Sequence, residues 1–407
     1  MSNARIPDHV VVVGAGLGGL RTVETLRAEG YAGRISLVGA EPHPPYDRPP
    51  LSKEILAGAW PDERAALRDP DELAALGAET HFGVAAVGVD ESAVELSDGT
   101  RLAYDALVVA TGVRARLLPF QPEHPAVHTL RTLDDCIALR SSLAGARSLL
   151  LVGAGFIGAE VAATARTAGL DVTVVEALPV PFERVLGEQM GALCAQLQEE
   201  NGTQVRAGVR PERFTDAGGR VGVRLVDGTE LVADCAVVGV GTVCDNGWLA
   251  GLGLAPDAPL SCDYRGLVDG SSAVYAVGDI AAWAHPTRGE AVRLEHWTSA
   301  TEQAGVVAKR IAGTEITREA DLVPYFWSDQ YGLKLQLVGR PERAERVEVL
   351  HDPGTIKGTV GGYFAEGRLV AALAFHAPRP LARYRRMIGA GADEAQVREA
   401  VAELASR

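Results

Sequence analysis

The sequence predicts an α/β fold with two Rossmann-like units, followed by a separate α+β C-terminal module. Two glycine-rich loops of the form G-x-G-x-x-G carry this prediction, one near the start of the chain and one well inside it. The residues of interest are Gly14, Gly16, Leu17, Gly18 and Gly19 in the first loop, and Gly153, Gly155, Phe156, Ile157 and Gly158 in the second. Such a pattern is informative only when a strand precedes it and a helix follows it.

Both loops have the flanks of a βαβ unit. Short apolar runs are typical of buried parallel strands, and an amphipathic stretch after the glycines indicates a helix. The predicted strand, helix and strand are Val10–Val13, Leu20–Ala28 and Ile35–Val38 in the first unit, and Leu149–Val152, Ala159–Ala168 and Val172–Val175 in the second. An acid follows the last strand of each unit, Glu41 in the first and Glu176 in the second.

The chemistry of these loops points to a pyrophosphate. The first glycine permits a tight turn, the second lets the backbone approach the phosphates, and the third lets helix and strand pack closely. The helix N-terminus adds unpaired N–H groups and a partial positive charge. The acid at the end of the second strand can accept hydrogen bonds from a ribose diol. Two complete units therefore predict two dinucleotides on one chain; the alternative is glycine turns with no ligand.

Composition limits the partners and the location of the protein. The chain has 53 acidic and 39 basic side chains, a net charge of -14, which argues against nucleic acid or an anionic membrane as a general partner. We expect neither a signal peptide nor a membrane span. The five cysteines are scattered, without metal-binding spacing or a C-x-x-C motif. They predict reduced thiols in a cytoplasmic protein and no metal site.

The cysteine positions also limit the redox chemistry. Flavoenzymes with two dinucleotides that reduce disulfides need a cysteine pair shortly after the first βαβ unit, and peroxide- or oxygen-reducing relatives use a single cysteine there. This chain has no cysteine before Cys136, and residues 44–53 read PPYDRPPLSK. Electrons that reach a flavin therefore have no neighbouring thiol to reduce, and we expect them to leave directly to an outside acceptor.

Five further segments carry a family resemblance. They are Arg48–Lys53 (RPPLSK), Ala110–Gly112 (ATG), Tyr275–Asp279 (YAVGD), Glu295–Trp297 (EHW) and Phe326–Gln330 (FWSDQ). Together they resemble the FAD- and NADH-dependent ferredoxin reductases of bacterial cytochrome P450 and Rieske oxygenase systems, of the putidaredoxin reductase type. The first segment, which lacks a cysteine, is the discriminating one. The resemblance implies the two-dinucleotide flavoprotein fold, with FAD and NADH as cofactors.

The resemblance also implies a domain organisation. Residues 1–113 and 245–322 would form the FAD-binding domain, residues 114–244 an inserted NADH-binding domain, and residues 323–407 the α+β C-terminal domain.

The same resemblance implies roles for individual residues. Lys53 is expected near the reactive N5 edge of the flavin. Glu160, on the first turn of the second helix, is expected to lie against the nicotinamide carboxamide and Lys53. Asp279 is expected at the start of a helix, 280–282, where it would hold the ribityl chain. The alternatives are a solvated loop lysine, an acid that suits the helix dipole, and a helix N-cap.

The resemblance also implies further contacts with both cofactors. Contacts with FAD are implied for Glu41, Arg48, Val84 through its backbone, Ala110, Thr111, Gly112, Arg131, Gly278 and Trp297; contacts with NADH are implied for Glu176 and Gly241. Glu41 takes the ribose role because the acid that some relatives carry at the position of Ala40 is absent. Arg48 could instead be an ordinary loop residue and Trp297 a core aromatic. Cys244 stands where relatives often have a proline, which puts the local turn in doubt.

The predicted function is NADH:ferredoxin oxidoreduction, in which FAD takes a hydride from NADH and passes single electrons to a [2Fe–2S] ferredoxin of an oxygenase system. A rubredoxin or monodehydroascorbate reductase, an NADH oxidase and an NADH-sensing flavoprotein of the apoptosis-inducing-factor type remain alternatives. Because such ferredoxins are usually acidic, we expect a local basic patch to dock the partner. Its candidates are Arg310, Arg340, Arg343, Arg383, Arg385 and Arg386.

Overall fold

A computed structural model of the chain describes residues 6–285, 291–316 and 323–405. The chain divides into two compact units. The first comprises Met1–Asp47, Ala65–Arg114 and Thr242–Pro324, and the second comprises Arg48–Arg64, Ala115–Gly241 and Tyr325–Arg407. The three-domain boundaries expected from the sequence are a different kind of division and remain a prediction.

The first unit is built on a five-stranded parallel sheet. Its strands lie in the order Val274–Ala276, Ala106–Val109, His9–Val13, Arg34–Gly39 and Glu79–Phe82. The middle strand is almost continuously apolar and fully buried from Val10 to Val12, as expected for a parallel strand covered on both faces. The helix Leu17–Ala28 connects it to its neighbour. The predicted first βαβ unit is therefore confirmed.

The other elements of the first unit surround this sheet. Its antiparallel strands are Ala86–Val89, Ala93–Leu96 and Arg101–Ala103, and a mixed sheet holds Leu260–Cys262, Ala281–Ala284 and Ala291–Arg293. Its other elements are the short strand Thr242–Val243, the helices Pro70–Ala75 and Trp297–Ala312, and the 3₁₀ turns Gly247–Leu252 and Gly278–Ile280. The 3₁₀ turn Asp62–Ala65 and the short strand Arg114–Ala115 each contain residues of both units. The helix Trp297–Ala312 packs along Leu17–Ala28.

The second unit repeats the arrangement. Its five-stranded parallel sheet has the order Gln204–Arg206, Asp171–Val175, Ser148–Val152, Cys235–Val238 and Val127–His128. The helix Phe156–Thr167 follows the middle strand, which confirms the second predicted βαβ unit. Its remaining elements are the antiparallel strands Pro211–Asp216, Val221–Leu225 and Glu230–Ala233, the helices Leu133–Leu143 and Glu183–Glu200, and the 3₁₀ turn Pro49–Ser52.

The C-terminal module of the second unit is a five-stranded antiparallel sheet with two helices. The strands lie in the order Tyr325–Gln330, Leu333–Gly339, Arg368–Phe375, Val360–Ala365 and Arg346–His351; the helices are Pro378–Gly389 and Glu394–Ala405; and Pro341–Arg343 is a 3₁₀ turn. Tyr363 and Phe375 of this sheet share a buried apolar cluster with Leu186 and Met190 of the helix Glu183–Glu200. The module and the rest of its unit therefore share one hydrophobic core.

Two sequence-based expectations need correction. The predicted helix at 280–282 does not exist: Gly278–Ile280 is a 3₁₀ turn and the strand Ala281–Ala284 follows it. This strand pairs with Leu260–Cys262 and Ala291–Arg293, and such long-range pairing overrides local sequence preference. The helix of the second glycine loop begins at Phe156, so Glu160 is its fifth residue and lies beyond its first turn.

No helix among the described ranges is long and apolar enough to cross a membrane.

Candidate dinucleotide-binding sites

In the first glycine loop, the first and third glycines are closely packed and the second is open. Gly14 has φ +116°, and a Cβ there would lie 2.2 Å from the carbonyl oxygen of Ala110. A Cβ on Gly19 would lie 1.9 Å from the carbonyl oxygen of Gly14, so no side chain fits at either position. A Cβ on Gly16, in contrast, would meet nothing within 4 Å. The open face at Gly16 is where a ligand can approach the backbone.

The second loop has the same pattern of two closely packed glycines and one open glycine. Gly153 has φ +102°, with its Cβ position 2.3 Å from the carbonyl oxygen of Gly239, and the Cβ position of Gly158 is 2.6 Å from the carbonyl oxygen of Gly153. A Cβ on Gly155 would again meet nothing within 4 Å. In both loops protein packing accounts for the first and third glycines, whereas the second leaves room for a ligand to approach the backbone.

The helix N-termini above both loops are prepared for an anion. The N-cap residues are Gly16 and Gly155, neither helix end has a side-chain cap, and neither first turn contains an acid. The orphan N–H groups of each first turn, which soluble helices usually satisfy with a Ser, Thr, Asp or Asn cap, are thus left for a ligand. This arrangement fits the phosphates of a dinucleotide at each loop.

A fixed turn presents Asp279 in the first unit. Gly278 has φ +75°, which favours glycine, and its N–H donates to the buried Oε1 of Gln303 at 2.8 Å. The carbonyl oxygen of Asp279 accepts a hydrogen bond from Nε of Arg293 at 2.7 Å. Hydrogen bonds on both sides therefore hold the backbone of this turn, although no helix follows it.

Two other predicted FAD contacts of the first unit are Glu41, in the loop after the strand Arg34–Gly39, and Trp297, the first residue of the helix Trp297–Ala312. The carboxylate of Glu41 accepts a hydrogen bond from the Tyr46 hydroxyl at 2.5 Å. The indole Nε1 of Trp297 donates to Oδ1 of Asp47 at 2.8 Å, so this side chain has a partner of its own. A flavin contact of Trp297 would therefore use its main chain, and it remains a prediction from the resemblance.

Two positions near the first loop add details. The side-chain oxygen of Thr111 is buried and has no hydrogen-bond partner among the described residues, which is costly unless another group binds there. Gly112 beside it has φ +68°. The N–H of Val84 donates to the carbonyl oxygen of Gly39 at 3.0 Å. The predicted backbone contact of Val84 with an adenine therefore falls to its carbonyl group.

In the second unit, Glu176 borders the glycine loop. One oxygen of its carboxylate accepts a hydrogen bond from the N–H of Ala154 at 2.8 Å, and the other accepts from the N–H of Leu178 at 2.9 Å. The loop and the turn after the strand thus fix the acid at the place where a ribose diol is expected. Gly241, with φ +104°, accepts a hydrogen bond from Arg116 through its carbonyl group.

Lys53 and Glu160 form a buried ion pair. Nζ of Lys53 lies 2.7 Å from Oε2 of Glu160, and the two side chains are only 15% and 6% exposed. The Ser52 hydroxyl donates to the same carboxylate oxygen at 2.5 Å. The structure therefore brings together the two residues predicted to act at the nicotinamide, although 107 residues separate them in the sequence.

The second oxygen of Glu160 is held by the C-terminal module. Oε1 accepts a hydrogen bond from the Ser328 hydroxyl at 2.8 Å and another from the N–H of Asp329 at 3.2 Å. With four donors around it, this buried carboxylate has one fixed orientation.

Two further predicted residues of the second unit have protein partners. The guanidinium group of Arg48 donates to the carbonyl oxygen of Arg131. The ring of Phe156 packs between Phe182 and Phe326, with centroid distances of 4.7 and 4.4 Å. Ile157, the next residue, is 48% exposed at the start of the helix. Phe156 thus supports the loop through packing, whereas Ile157 faces outward.

All five cysteines are buried and unpaired. Burial raises the pKa of the Cys136 thiol to about 11, and it also raises the pKa of Cys244. Cys136 lies against the predicted flavin-side segment, where its thiol donates to the carbonyl oxygen of Leu51. Neither thiol ionises readily near neutral pH, so neither supplies a thiolate for redox chemistry.

Two family models match this chain. The family model of the pyridine nucleotide-disulphide oxidoreductases matches residues 8–304, and a model described as the reductase C-terminal domain matches residues 325–406. The chain belongs to the pyridine nucleotide-disulphide oxidoreductase family. The first model covers both glycine loops of this oxidoreductase, and the second begins at the strand that contacts Glu160.

Whole-length relatives of this oxidoreductase narrow the family. The chain is 37% identical over 394 residues to the ferredoxin–NAD(+) reductase subunit of a benzene 1,2-dioxygenase system from Pseudomonas putida, covering 94% of this chain and 93% of that one. A covalent putidaredoxin reductase–putidaredoxin complex matches with a TM-score of 0.89 and 32% identity, covering 98% and 99%. A ferredoxin reductase for the CYP199A2 system of Rhodopseudomonas palustris matches with 0.88 and 32%, covering 97% and 100%. The predicted resemblance and fold class are confirmed.

Some residues of the sites of this oxidoreductase were missed in the sequence. Ser52 and Ser328 stand inside the RPPLSK and FWSDQ segments that carried the resemblance, so the segments were found but these hydroxyl groups received no role. Arg293 and Gln303, which fix the Asp279 turn, stand outside any motif described above, and no local signal marks them.

The predicted basic patch is uneven. Arg310 forms a bidentate ion pair with Asp263 at 2.7 and 2.9 Å, so its charge is already balanced. Arg340 and Arg383 are paired with Glu342 and Glu403, and Arg385 lies over the ring of Tyr325. Arg343 and Arg386 have no ion pair among the described residues. They are the stronger candidates for contact with a partner.

Proposed function

We propose that the protein is an NADH:ferredoxin oxidoreductase that holds FAD at the first glycine loop and NADH at the second. The observation that carries the proposal is the pair of open faces at Gly16 and Gly155, each beneath an uncapped helix N-terminus in an otherwise tightly packed loop. Two such cradles in one chain suit two dinucleotides. Relatives named as ferredoxin–NAD(+) reductases support NADH and a ferredoxin as the two substrates.

The flavin supplies the chemistry of the reaction, because it accepts a hydride from a nicotinamide and returns electrons singly to a one-electron acceptor. We assign FAD to the first loop because the predicted ribityl contact, Asp279, and the ribose contact, Glu41, belong to the same unit. The buried hydroxyl of Thr111, which lacks a protein partner, is a further candidate contact.

The residues of the second loop bind and orient NADH. Glu176 is placed to accept hydrogen bonds from the adenosine ribose, and the N-terminus of the helix Phe156–Thr167 receives the pyrophosphate. Glu160 and Lys53 form one buried, hydrogen-bonded pair, which can hold the carboxamide of the nicotinamide in a single orientation. The contact of Lys53 with the flavin N5 edge remains a prediction from the resemblance.

An iron–sulfur protein is the proposed electron acceptor. The segment Arg48–Lys53 has no cysteine, and the five thiols elsewhere are buried, so an internal disulfide route has no residues to carry it. By analogy with the relatives, the acceptor is a [2Fe–2S] ferredoxin that supplies a cytochrome P450 or a Rieske oxygenase. We also propose a cytoplasmic location, which unpaired thiols favour.

Two measurements test the proposal. Liquid chromatography of the cofactor released by heat should give about one FAD per chain, because the first loop has the features of one dinucleotide site. Recovery of FMN, or of no flavin after reconstitution, would contradict the mechanism.

Steady-state assays with NADH should then show faster reduction of a [2Fe–2S] ferredoxin than of rubredoxin, monodehydroascorbate or oxygen. If one of these other acceptors reacts faster, it replaces ferredoxin as the proposed electron acceptor. Slow turnover with all of them would favour an NADH-sensing flavoprotein.

A further inference from the structure

The buried carboxylate of Glu160 is clamped from two sides. Oε2 faces Lys53 and Ser52 in the segment Arg48–Lys53, whereas Oε1 faces Ser328 and the N–H of Asp329 in the strand Tyr325–Gln330. Both sides belong to the second unit. The role proposed for Glu160 uses only the Lys53 side, so the contacts of the other oxygen are unexplained.

The strand Tyr325–Gln330 presents one face to the helix Phe156–Thr167. Side chains two residues apart share a strand face, and side chains four residues apart share a helix face. Phe326 accordingly packs on Phe156, and Ser328 bonds to Glu160 one helical turn further on. The register of the strand on the helix is thus set by an aromatic contact at one point and by a hydrogen bond at the next.

Gln330 extends the clamp by one more residue. Its Nε2 donates to the hydroxyl oxygen of Ser328 at 3.1 Å, and Gln330 and Ser328 are 1% and 0% exposed. Because that hydroxyl accepts from Gln330, its single proton is directed to Glu160. On the opposite side, Ser52 accepts from Lys53 at 3.3 Å and donates to Glu160 in the same way. Two serine hydroxyls therefore fix the carboxylate, each oriented by a longer side chain.

We propose that Ser328 and Gln330 are positioning residues for hydride transfer, acting through Glu160. They keep the plane of the carboxylate fixed while Lys53 or a nicotinamide carboxamide meets its other oxygen. This inference rests on the proposed function of Glu160, and it gives the C-terminal module a part in the oxidation of NADH. A misplacement of about 1 Å in such a site costs on the order of a hundredfold in rate, so a loss of about tenfold is expected when one clamp residue is removed.

Ser328→Ala and Gln330→Leu test the inference in stopped-flow reduction of the flavin by NADH. We expect Ser328→Ala to slow hydride transfer about tenfold and to enlarge the deuterium isotope effect with 4-deuterated NADH, because a misplaced nicotinamide makes the hydride-transfer step itself slower. Gln330→Leu should slow it less. The matched control is Gln336→Leu, which removes one side-chain hydrogen bond, to Tyr325, from the same sheet without contact to Glu160.

A double-mutant cycle separates positioning from general damage. If Ser328 acts through Glu160, Ser328→Ala should add almost nothing in a Glu160→Gln background, because coupled residues are not additive. Infrared difference spectra of the flavin-free protein should also show the carboxylate band of Glu160, identified by its loss in Glu160→Gln, shifted in Ser328→Ala. Full additivity, an unshifted band or a wild-type rate in Ser328→Ala would overturn the inference. Failure of the proposed function is distinct, because the wild-type flavin would then not be reduced by NADH at all.

Discussion

At the scale of single residues, the function proposed for the second unit depends most on Glu160. It is an acid with only 5% of its surface exposed, and it is neutralised by one lysine and held by several hydrogen bonds. Removal of one partner from a buried ion pair is costly because the other charge is left without compensation. Substitutions of Glu160 and its partners can therefore test the role of its charge separately from the role of its position.

Glu160→Gln should slow flavin reduction by NADH by on the order of tenfold while FAD stays bound, because the amide keeps the shape but not the charge that orients the carboxamide. Stopped-flow absorbance gives the rate. The control is Asp62→Asn, which removes the charge from a bidentate pair with Arg140 in the same unit and should leave the rate unchanged. A wild-type rate in Glu160→Gln would return this residue to a structural role.

Glu176 should make the enzyme prefer NADH to NADPH. Its carboxylate is fixed by two backbone N–H groups, and it would repel a 2′-phosphate while accepting a bond from a 2′-hydroxyl. Loss of a hydrogen bond to a charged group typically costs about 1.5–3 kcal/mol. We therefore expect kcat/KM for NADH to exceed kcat/KM for NADPH by a factor between about 10 and 100. Steady-state kinetics with both nucleotides measures it, and Glu176→Gln should lower it. Equal kcat/KM in the wild-type enzyme would show that Glu176 lies elsewhere relative to the ribose.

At the scale of elements, the two glycine loops separate packing from binding. Gly155→Ala should weaken NADH binding by about tenfold without unfolding the protein, because a methyl group enters only the space assigned to the pyrophosphate. Gly158→Ala should instead lower the Tm, since its Cβ position is 2.6 Å from a backbone oxygen. Calorimetric titration and thermal unfolding compare the pair. An unchanged NADH affinity in Gly155→Ala would remove the second site from this loop.

The elements also show how far the sequence could predict this molecule. Both βαβ units were predictable because their signals are local: an apolar run, a glycine loop and an amphipathic stretch within about thirty residues. The strand Ala281–Ala284 was mistaken for a helix because only its distant pairing partners make it a strand. Ser328 and Glu160 are 168 residues apart, and no periodicity or motif connects them. The contacts that orient site residues therefore needed the structure, whereas the nucleotide loops did not.

At the scale of the whole molecule, the charge of -14 bears on partner docking. Distant acids matter little, because exposed charges are screened beyond about 8 Å at physiological salt. Ferredoxin reduction should therefore weaken as salt rises, while NADH-to-ferricyanide activity changes little. Arg386→Glu should raise the KM for ferredoxin several-fold, as this arginine is exposed and has no ion pair among the described residues. Salt-independent kinetics with ferredoxin would point to an apolar docking surface.

The stability of the fold should decline in mildly acidic solution. Burial lowers the pKa of His128 and of His351 from the ordinary value of 6.5. Below pH 6.5 the unfolded chain therefore binds more protons than the folded one, and the free energy of unfolding falls as the pH decreases. Thermal unfolding between pH 7.5 and about 5 should show a Tm lower by a few degrees. His351→Gln, which can keep a bond to Tyr384, should flatten this slope; an equal slope in the variant would contradict the assignment.

The contact between the strand Tyr325–Gln330 and Glu160 limits where two related reductases can be joined into a chimera. A chimera joined before this strand takes Glu160 from one parent and Ser328 from the other. We therefore expect a swap intended to change the electron acceptor to alter the rate of NADH oxidation as well. A junction in the turn between this strand and Leu333–Gly339 keeps both residues from one parent and exchanges the rest of the sheet and both final helices. If the basic patch of the C-terminal module docks the ferredoxin, such a chimera should change the preferred acceptor and leave the rate of flavin reduction by NADH unchanged.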